Sequence, residues 1–574
     1  MIRSGVVNEA GLRYRVRFNI WTLGTLLVAA FVAAPVLSVL VLATAPSGDI
    51  WRHLASTVLP HYIETTLLLM AGVGIGTFLI GVGTAWVVTM CRFPGSRMFE
   101  WALLLPLAVP AYVIAYVYTD LLEYAGPVQG ALRAVFGWHS RRDYWFPEIR
   151  SLGGAVAMMT LVLYPYVYVL SRAAFLEQSV CVLEASRTLG KNAWQSFFHV
   201  ALPLTRPAIV IGVSLVLMEA LNDFGTVDYF AVKTFTAGIF DVWLNMSSTA
   251  GAAQLAAVML AFVLAIIGVE RWARRGRRFH HTSTRYSALP SYRLTGARAA
   301  GAVILCALPL GLGFFVPAGV LLTYAARHYA DSLTGPFLVY AANSLALSTI
   351  SAVLAVIVGL FLAYGVRLSK TPFVHAAARF ASVGYALPGA VLAVGVMIPL
   401  AALDNAIDAA FRSALGISTG LLLSGTTVAI TIGYVARFLA LSFGTVEASL
   451  TKITASMDGA ARTLGHGPSA TLARVHLPMM RGSVLSAAIL VFVDGMKELP
   501  MTMLLRPFNF DTLATYVHQF ASREHFEEAA AGALAIVVAG MLPVILLSAA
   551  IRQSRPGHRR PAPLPAGVPQ IGEA

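Results

Sequence analysis

Five carboxylates stand in parts of this chain that are otherwise almost free of charge: Glu219, Asp223, Asp228, Asp494 and Glu498. Each lies in or just after a long apolar run, beside a Phe-Gly or Leu-Pro break. An ionised group next to hydrocarbon is costly, and it usually faces a pore or a partner. Carboxylate oxygens suit a hard cation of high charge, so the five are candidates for lining a cargo path. A plainer role is open to them as well. Lys497 stands beside Glu498, and paired acids and cations of this kind also act as structural polar contacts. Glu219 and Asp223 recur, at the same spacing, as Asp494 and Glu498 in the second half of the chain, so whatever the pair does, it does twice.

A longer string recurs at the same interval. Glu184-Ala185-Ser186-Arg187-Thr188-Leu189-Gly190 runs on to Leu202-Pro203, and Gly459-Ala460-Ala461-Arg462-Thr463-Leu464-Gly465 runs on to Leu477-Pro478. Each copy reads as a helix of small residues stopped by Gly, then a turn, a second short helix and a new apolar run. A helix-turn-helix between two membrane spans has the shape of a docking element. It resembles the EAA loop of ABC importer permeases, which inserts into a cleft on a cytoplasmic ATPase. The resemblance implies ATPase-coupling roles for Glu184, Ala185, Arg187, Gly190, Leu202 and Pro203, and for Asp458, Gly459, Ala460, Arg462, Gly465, Leu477 and Pro478. The second copy departs from the pattern, with Gly459 in the place of Glu184 and a carboxylate, Asp458, one position earlier.

The elements that must carry these residues are membrane helices. The chain is 58% hydrophobic and 12% charged, with a mean hydropathy of +0.74, against roughly 25% charged residues in a soluble protein. Twelve apolar runs are long enough to cross about 30 Å of hydrocarbon. They lie near 20–43, 62–90, 98–122, 152–174, 205–225 and 250–269, then near 299–324, 341–366, 376–402, 420–446, 480–504 and 526–550. Arg13, Arg15 and Arg17 precede the first run. Arg92 and Arg97 follow the second, and Arg271, Arg274, Arg275, Arg277 and Arg278 follow the sixth. Arg367 and Lys370 follow the eighth, and Arg552, Arg555, Arg559 and Arg560 the twelfth. The positive-inside rule puts both termini in the cytoplasm. The formal charge of +14 is then accounted for by that bias and by anionic lipid, with no nucleic-acid partner.

The expected fold is an all-α membrane protein of about 12 transmembrane helices in two parallel six-helix repeats, since halves with an even number of spans share one topology. Leu105-Pro106-Leu107-Ala108-Val109-Pro110 and Tyr385-Ala386-Leu387-Pro388 add a further repeated break. The expected layout is a cytoplasmic segment 1–19, a first half 20–270, a polar linker 271–298, a second half 299–551 and a tail 552–574. The first run reads as an uncleaved anchor, because it is longer than a secretory signal. Cys91, Cys181 and Cys306 have no paired spacing, and neither a disulfide framework nor a metal cluster is expected. His280-His281 reads as a solvated loop, Tyr164, Tyr166 and Tyr168 as packing, and Glu64 as a helix-start residue.

No G-x-x-x-x-G-K-[ST] string is present; Gly190-Lys191-Asn192 lacks both the leading Gly and the hydroxyl, so no phosphate-cradling loop is available. The chain is expected to be a transport subunit, not an enzyme, with no cofactor of its own and ATP used by a partner. The segments Leu221-Asn222-Asp223-Phe224-Gly225, Met496-Lys497-Glu498-Leu499-Pro500 and Leu505-Arg506-Pro507-Phe508-Asn509 resemble the fused double-length ferric iron branch of the binding-protein-dependent permeases. That resemblance covers about residues 15–552. It implies the type I ABC importer permease fold, a bacterial inner membrane location, two copies of a cytoplasmic ATPase and a periplasmic substrate-binding protein. Thiamine, polyamine, sulfate and aminoethylphosphonate stand as other cargoes of the same class, and an ion-gradient-driven secondary transporter as the reading from a different class.

Overall fold

In a computed structural model of the chain, the described residues are 20–177, 188–190, 193–274, 292–329, 335–369, 371–381, 384, 387–451 and 453–553. They are almost wholly helical, as backbone crossing hydrocarbon must be, since no water is there to satisfy its N–H and C=O groups. Ten helices among them are long and apolar enough to cross a membrane. Two bent pairs, Ser96–Ala108 with Ala111–Phe136 and Pro468–Met479 with Arg481–Lys497, bring the total to 12. The β-structure among the described residues is one two-residue parallel pairing, Cys91–Arg92 with Tyr292–Arg293.

Proline explains where the expected runs differ from the helices. The third run, expected as one span over 98–122, is bent by 89°, because Leu105–Ala108 is a short 3-10 turn and Pro110 caps the next helix with extended backbone. The ninth, expected over 376–402, is likewise a short helix Pro372–Ala381 followed by Gly389–Leu415. Pro388 caps the latter at φ −59° and ψ 140°, matching Pro110 at −61° and 145°. The residue before a proline is pushed out of the α region, so each helix restarts after its Pro. The second run begins earlier than expected, at Asp49, which leaves Glu64 exposed within a helix instead of at its start.

Four of the five five-residue π turns among the described residues, Leu54–Val58, Phe197–Ala201, Gly311–Phe315 and Leu472–His476, stand immediately before a residue followed by proline: Pro60, Pro203, Pro317 and Pro478; Asp241–Asn245 does not. A proline ring in a helix clashes with the carbonyl four residues back, and a widened turn relieves the clash.

The described chain falls into two compact units that cut across the sequence halves. One comprises residues 1–45, 344–495 and 501–510. In it the first span, Ile20–Ala43, packs on Pro372–Ala381 and Gly389–Leu415. The approach is close: a Cβ on Gly395 would collide with the Pro35 carbonyl oxygen. Trp21 stacks on Phe361 and meets Tyr364 edge-on.

The other unit comprises 46–343, 496–500 and 511–574. Its principal pair is Leu59–Met90 against Leu152–Glu177. Gly72, Gly76 and Gly81 line the seam, where added Cβ atoms would come within 2.8 Å of Val156, Thr160 or Val167. Small residues let helix backbones approach in a membrane, where packing and not water exclusion drives association. The seventh span, Gly296–Leu310 continuing to Val316–Arg327, packs here as well, and Tyr118 donates to the Leu312 carbonyl at 2.8 Å. Tyr164 and Tyr168 are fully buried in this unit.

Candidate functional site

The second repeated signature is described throughout its motif. Asp458, Gly459, Ala460 and Arg462 ride on the helix Ala455–Thr463. Gly465 ends it at φ +80°, with its N–H on the Arg462 carbonyl and the His466 N–H on the Ala461 carbonyl, both at 3.0 Å. These two bonds form a Schellman cap, which needs a left-handed residue at this place. Gly467 and Pro468 open the next short helix. The π turn Leu472–His476 follows, then Leu477 and Pro478, and an 80° bend leads into Arg481–Lys497.

In the first copy, Glu184, Ala185 and Arg187 lie outside the described residues. Gly190 has φ +75°, and Leu202 and Pro203 follow the π turn Phe197–Ala201. The two copies therefore share a left-handed glycine and a π turn in register. They also share a feature the motif reading left out. Leu189 and Leu464, each just before its glycine, are 78% and 76% exposed. An apolar residue immediately before a helix-capping glycine in a polar loop was the available signal.

Asp458 is turned into its own unit. Its Oδ2 accepts from Arg367 Nε at 3.1 Å and Nη2 at 3.0 Å, and its Oδ1 meets His476 Nε2 at 2.7 Å. Arg367 also donates to the Leu450 and Ile453 carbonyls, and His476 is fully buried. Tyr364 meets the His476 ring edge-on at 5.5 Å and donates to the Pro468 carbonyl at 2.8 Å.

Of the five carboxylates, Asp494 belongs to the same unit as Asp458; the other four belong to the second unit and are described there. Glu219 is half-buried in the last turn of Leu202–Asn222. Asp223 ends that helix with extended backbone and caps the next, Gly225–Tyr229. It accepts from the N–H groups of Thr226 at 2.9 Å and Val227 at 3.2 Å, and from the Thr226 hydroxyl at 3.1 Å. Glu498 is 5% exposed and precedes the corresponding helix, Pro500–Leu505. Asp228 is exposed, and its Oδ2 lies 3.7 Å from His518 Nε2.

Three aromatic or imidazole groups that sequence reasoning missed complete this region. His518 Nδ1 hydrogen-bonds the Tyr116 hydroxyl at 2.7 Å, and the Phe224 ring lies 5.6 Å from the imidazole. Tyr112, one helical turn before Tyr116, is buried with its hydroxyl unpaired and interacts electrostatically with Glu498, Lys497 and Asp223. Beyond it, Arg150 pairs with Glu123 and Glu524 and lies 4.7 Å over the Tyr229 ring. A cleft of about 820 Å³ opens there, lined by Gln129, Arg141, Tyr144 and Glu148 among others. Among the described residues no group of three or more His, Cys, Asp or Glu side chains could hold a metal ion.

Repeated loops with a left-handed glycine between apolar spans suit a permease, and sequence comparison agrees. Residues 77–279 match the family described as the inner membrane component of binding-protein-dependent transport systems. The chain is 30% identical over 223 residues to the sulfate transport system permease protein CysT of Escherichia coli K12, covering 38% of this chain and 77% of that one. The chain belongs to this family. It is also 26% identical over 491 residues to the Fe(3+)-transport system permease protein FbpB 2 of Haemophilus influenzae, covering 84% of this chain and 89% of that one. The molybdenum transport system permease protein ModB of Escherichia coli K12 is 27% identical over 201 residues, 34% of this chain and 84% of that one. Among the binding-protein-dependent permeases, then, this chain has the double-length layout: CysT and ModB match about a third of it, whereas FbpB 2 matches nearly all. Such a permease is the inner membrane component of a transport system that depends on a substrate-binding protein.

Proposed function

We propose that this permease imports ferric iron, received from a periplasmic iron-binding protein and driven by two copies of a cytoplasmic ATPase seated on the elements around Gly190 and Gly465. The observation that carries the cargo is the match along 84% of the chain to a permease named for Fe(3+) transport. The carboxylates support the same choice. Asp223, Asp228 and Glu498 with Tyr112, Tyr116 and His518 make an oxygen-rich region, with Lys497 beside Glu498. Oxygen donors of this kind suit a hard trivalent cation better than a sulfate or molybdate oxyanion. The termini and the docking elements face the cytoplasm, as the distribution of Arg requires. The helix Gly225–Tyr229 and the cleft beside Arg150 lie toward the periplasmic donor.

Reconstitution into lipid vesicles with the ATPase and the donor tests this. The chain alone should neither bind nor hydrolyse ATP, having no phosphate loop. Iron uptake should require all three components. Failure to move iron with its own donor removes the iron assignment, and uptake by the chain alone under a proton or sodium gradient makes it a secondary transporter.

A further inference from the structure

The two docking elements are built from different side chains, and the second contains an internal ion-pair network of Arg367, Asp458 and His476. At the positions that correspond through the repeat to Tyr364, Arg367, Asp458 and His476, the first half has Trp86, Thr89, Leu183 and Ala201. None of the arginine, carboxylate and imidazole recurs at its corresponding place. The Arg367 side chain is 16% exposed and bonded to Asp458, the Leu450 carbonyl and the Ile453 carbonyl. A part-buried ion pair in the first half, Arg172 with Glu100 at 2.8 Å, joins Leu152–Glu177 to Ser96–Ala102 and involves no residue of the motif.

The geometry points to a strut: we propose that Arg367, Asp458 and His476 make the second docking element rigid with the end of the membrane helix Gly335–Leu368. ATPase movement at that element then passes directly into the helix, while Leu183 and Ala201 cannot make the equivalent connection in the first. Arg367 is the last-turn residue of its helix, and its planar fork meets three acceptors in fixed directions, which Lys cannot do. Asp458 sits mid-helix in the docking element and His476 ends the π turn beyond it. One carboxylate thereby ties together the membrane helix and both arms of the docking element. His476 Nδ1 is buried without a partner, so the tautomer with hydrogen on Nε2, donating to Asp458, leaves only an acceptor unmet. These are positioning residues, and the proposal rests on the docking role given to this loop above.

The complete transporter, with ATPase and donor, tests it in lipid vesicles carrying Ala460→Cys, an exposed position on the docking helix. Asp458→Asn should leave cross-linking of that cysteine to the ATPase and basal hydrolysis in place, but reduce donor-stimulated hydrolysis roughly fivefold or more, the scale of an allosteric coupling. Leu183→Asn, at the equivalent place in the first element, should change none of the three. Should Asp458→Asn fail to insert, His476→Leu against His476→Gln makes the same comparison, since the amide keeps a donor for Asp458 and should restore stimulation. Full stimulation in Asp458→Asn or in His476→Leu overturns the strut. If Ala460→Cys in the otherwise unaltered chain never cross-links to the ATPase, the docking assignment fails first and the strut falls with it.

Discussion

Gly465 is held at φ +80° with open space around its Cβ position, so what forbids a side chain there is backbone conformation and not crowding. A β-branched residue in the left-handed region costs about 1–2 kcal/mol, enough to open a cap that has only two hydrogen bonds. Gly465→Val and Gly190→Val should insert normally yet lose ATPase stimulation, and Gly465→Asn should retain part of it, because Asn tolerates this region. Donor-stimulated hydrolysis, normalised to membrane abundance, gives the answer. Asp223 poses a sharper question, because it both carries charge and caps the helix Gly225–Tyr229. Asp223→Ala should destabilise by about 1 kcal/mol through the lost cap. Asp223→Asn keeps an acceptor and loses the charge. Slow uptake with unchanged thermal stability in the Asn variant identifies a role in the path, whereas normal uptake leaves Asp223 as a cap alone.

The π turns Phe197–Ala201 and Leu472–His476 occupy matching places in the two halves, each before Leu-Pro, so they are properties of the repeat. A π turn adds one residue to the helical register and rotates what precedes it by about 100°. That rotation sets which face the segment before the turn presents. Replacing Pro203 or Pro478 by Ala removes the clash that favours the wide turn. The expected outcome is a shifted pattern of cysteine accessibility over residues 193–199 or 468–474, together with weakened ATPase stimulation and intact insertion. An unchanged pattern shows that other contacts hold the turn open.

The compact units cross the sequence halves, with the first span packed among second-half helices and the seventh on first-half helices as well as on the last span, Phe526–Gln553. Neither half then contains everything its helices pack against. Cutting the chain between residues 274 and 292 should give two fragments that are degraded when expressed singly and that restore donor-dependent uptake when expressed together. Blotting for each fragment with an uptake assay decides it. Stable accumulation of either fragment alone shows that the exchanged spans are dispensable for folding.

Twelve spans, the internal repeat, the missing phosphate loop and the two capping glycines were all legible from order and type of residue, because hydropathy, periodic spacing and left-handed backbone are local properties. The positions of Pro110 and Pro388 announced breaks, though the third and ninth runs were expected to continue through them. Leu464 belonged to the recognised motif, but its exposure depends on how the capped helix lies on its unit. The exchange of first spans could not be read at all, since Pro35 and Gly395 stand in opposite halves of the sequence and meet only by backbone packing. The same holds for Arg367, Asp458 and His476, and for Tyr116 with His518. A side chain's partner across a membrane bundle is chosen by the three-dimensional path of the helices, and no local pattern records that choice.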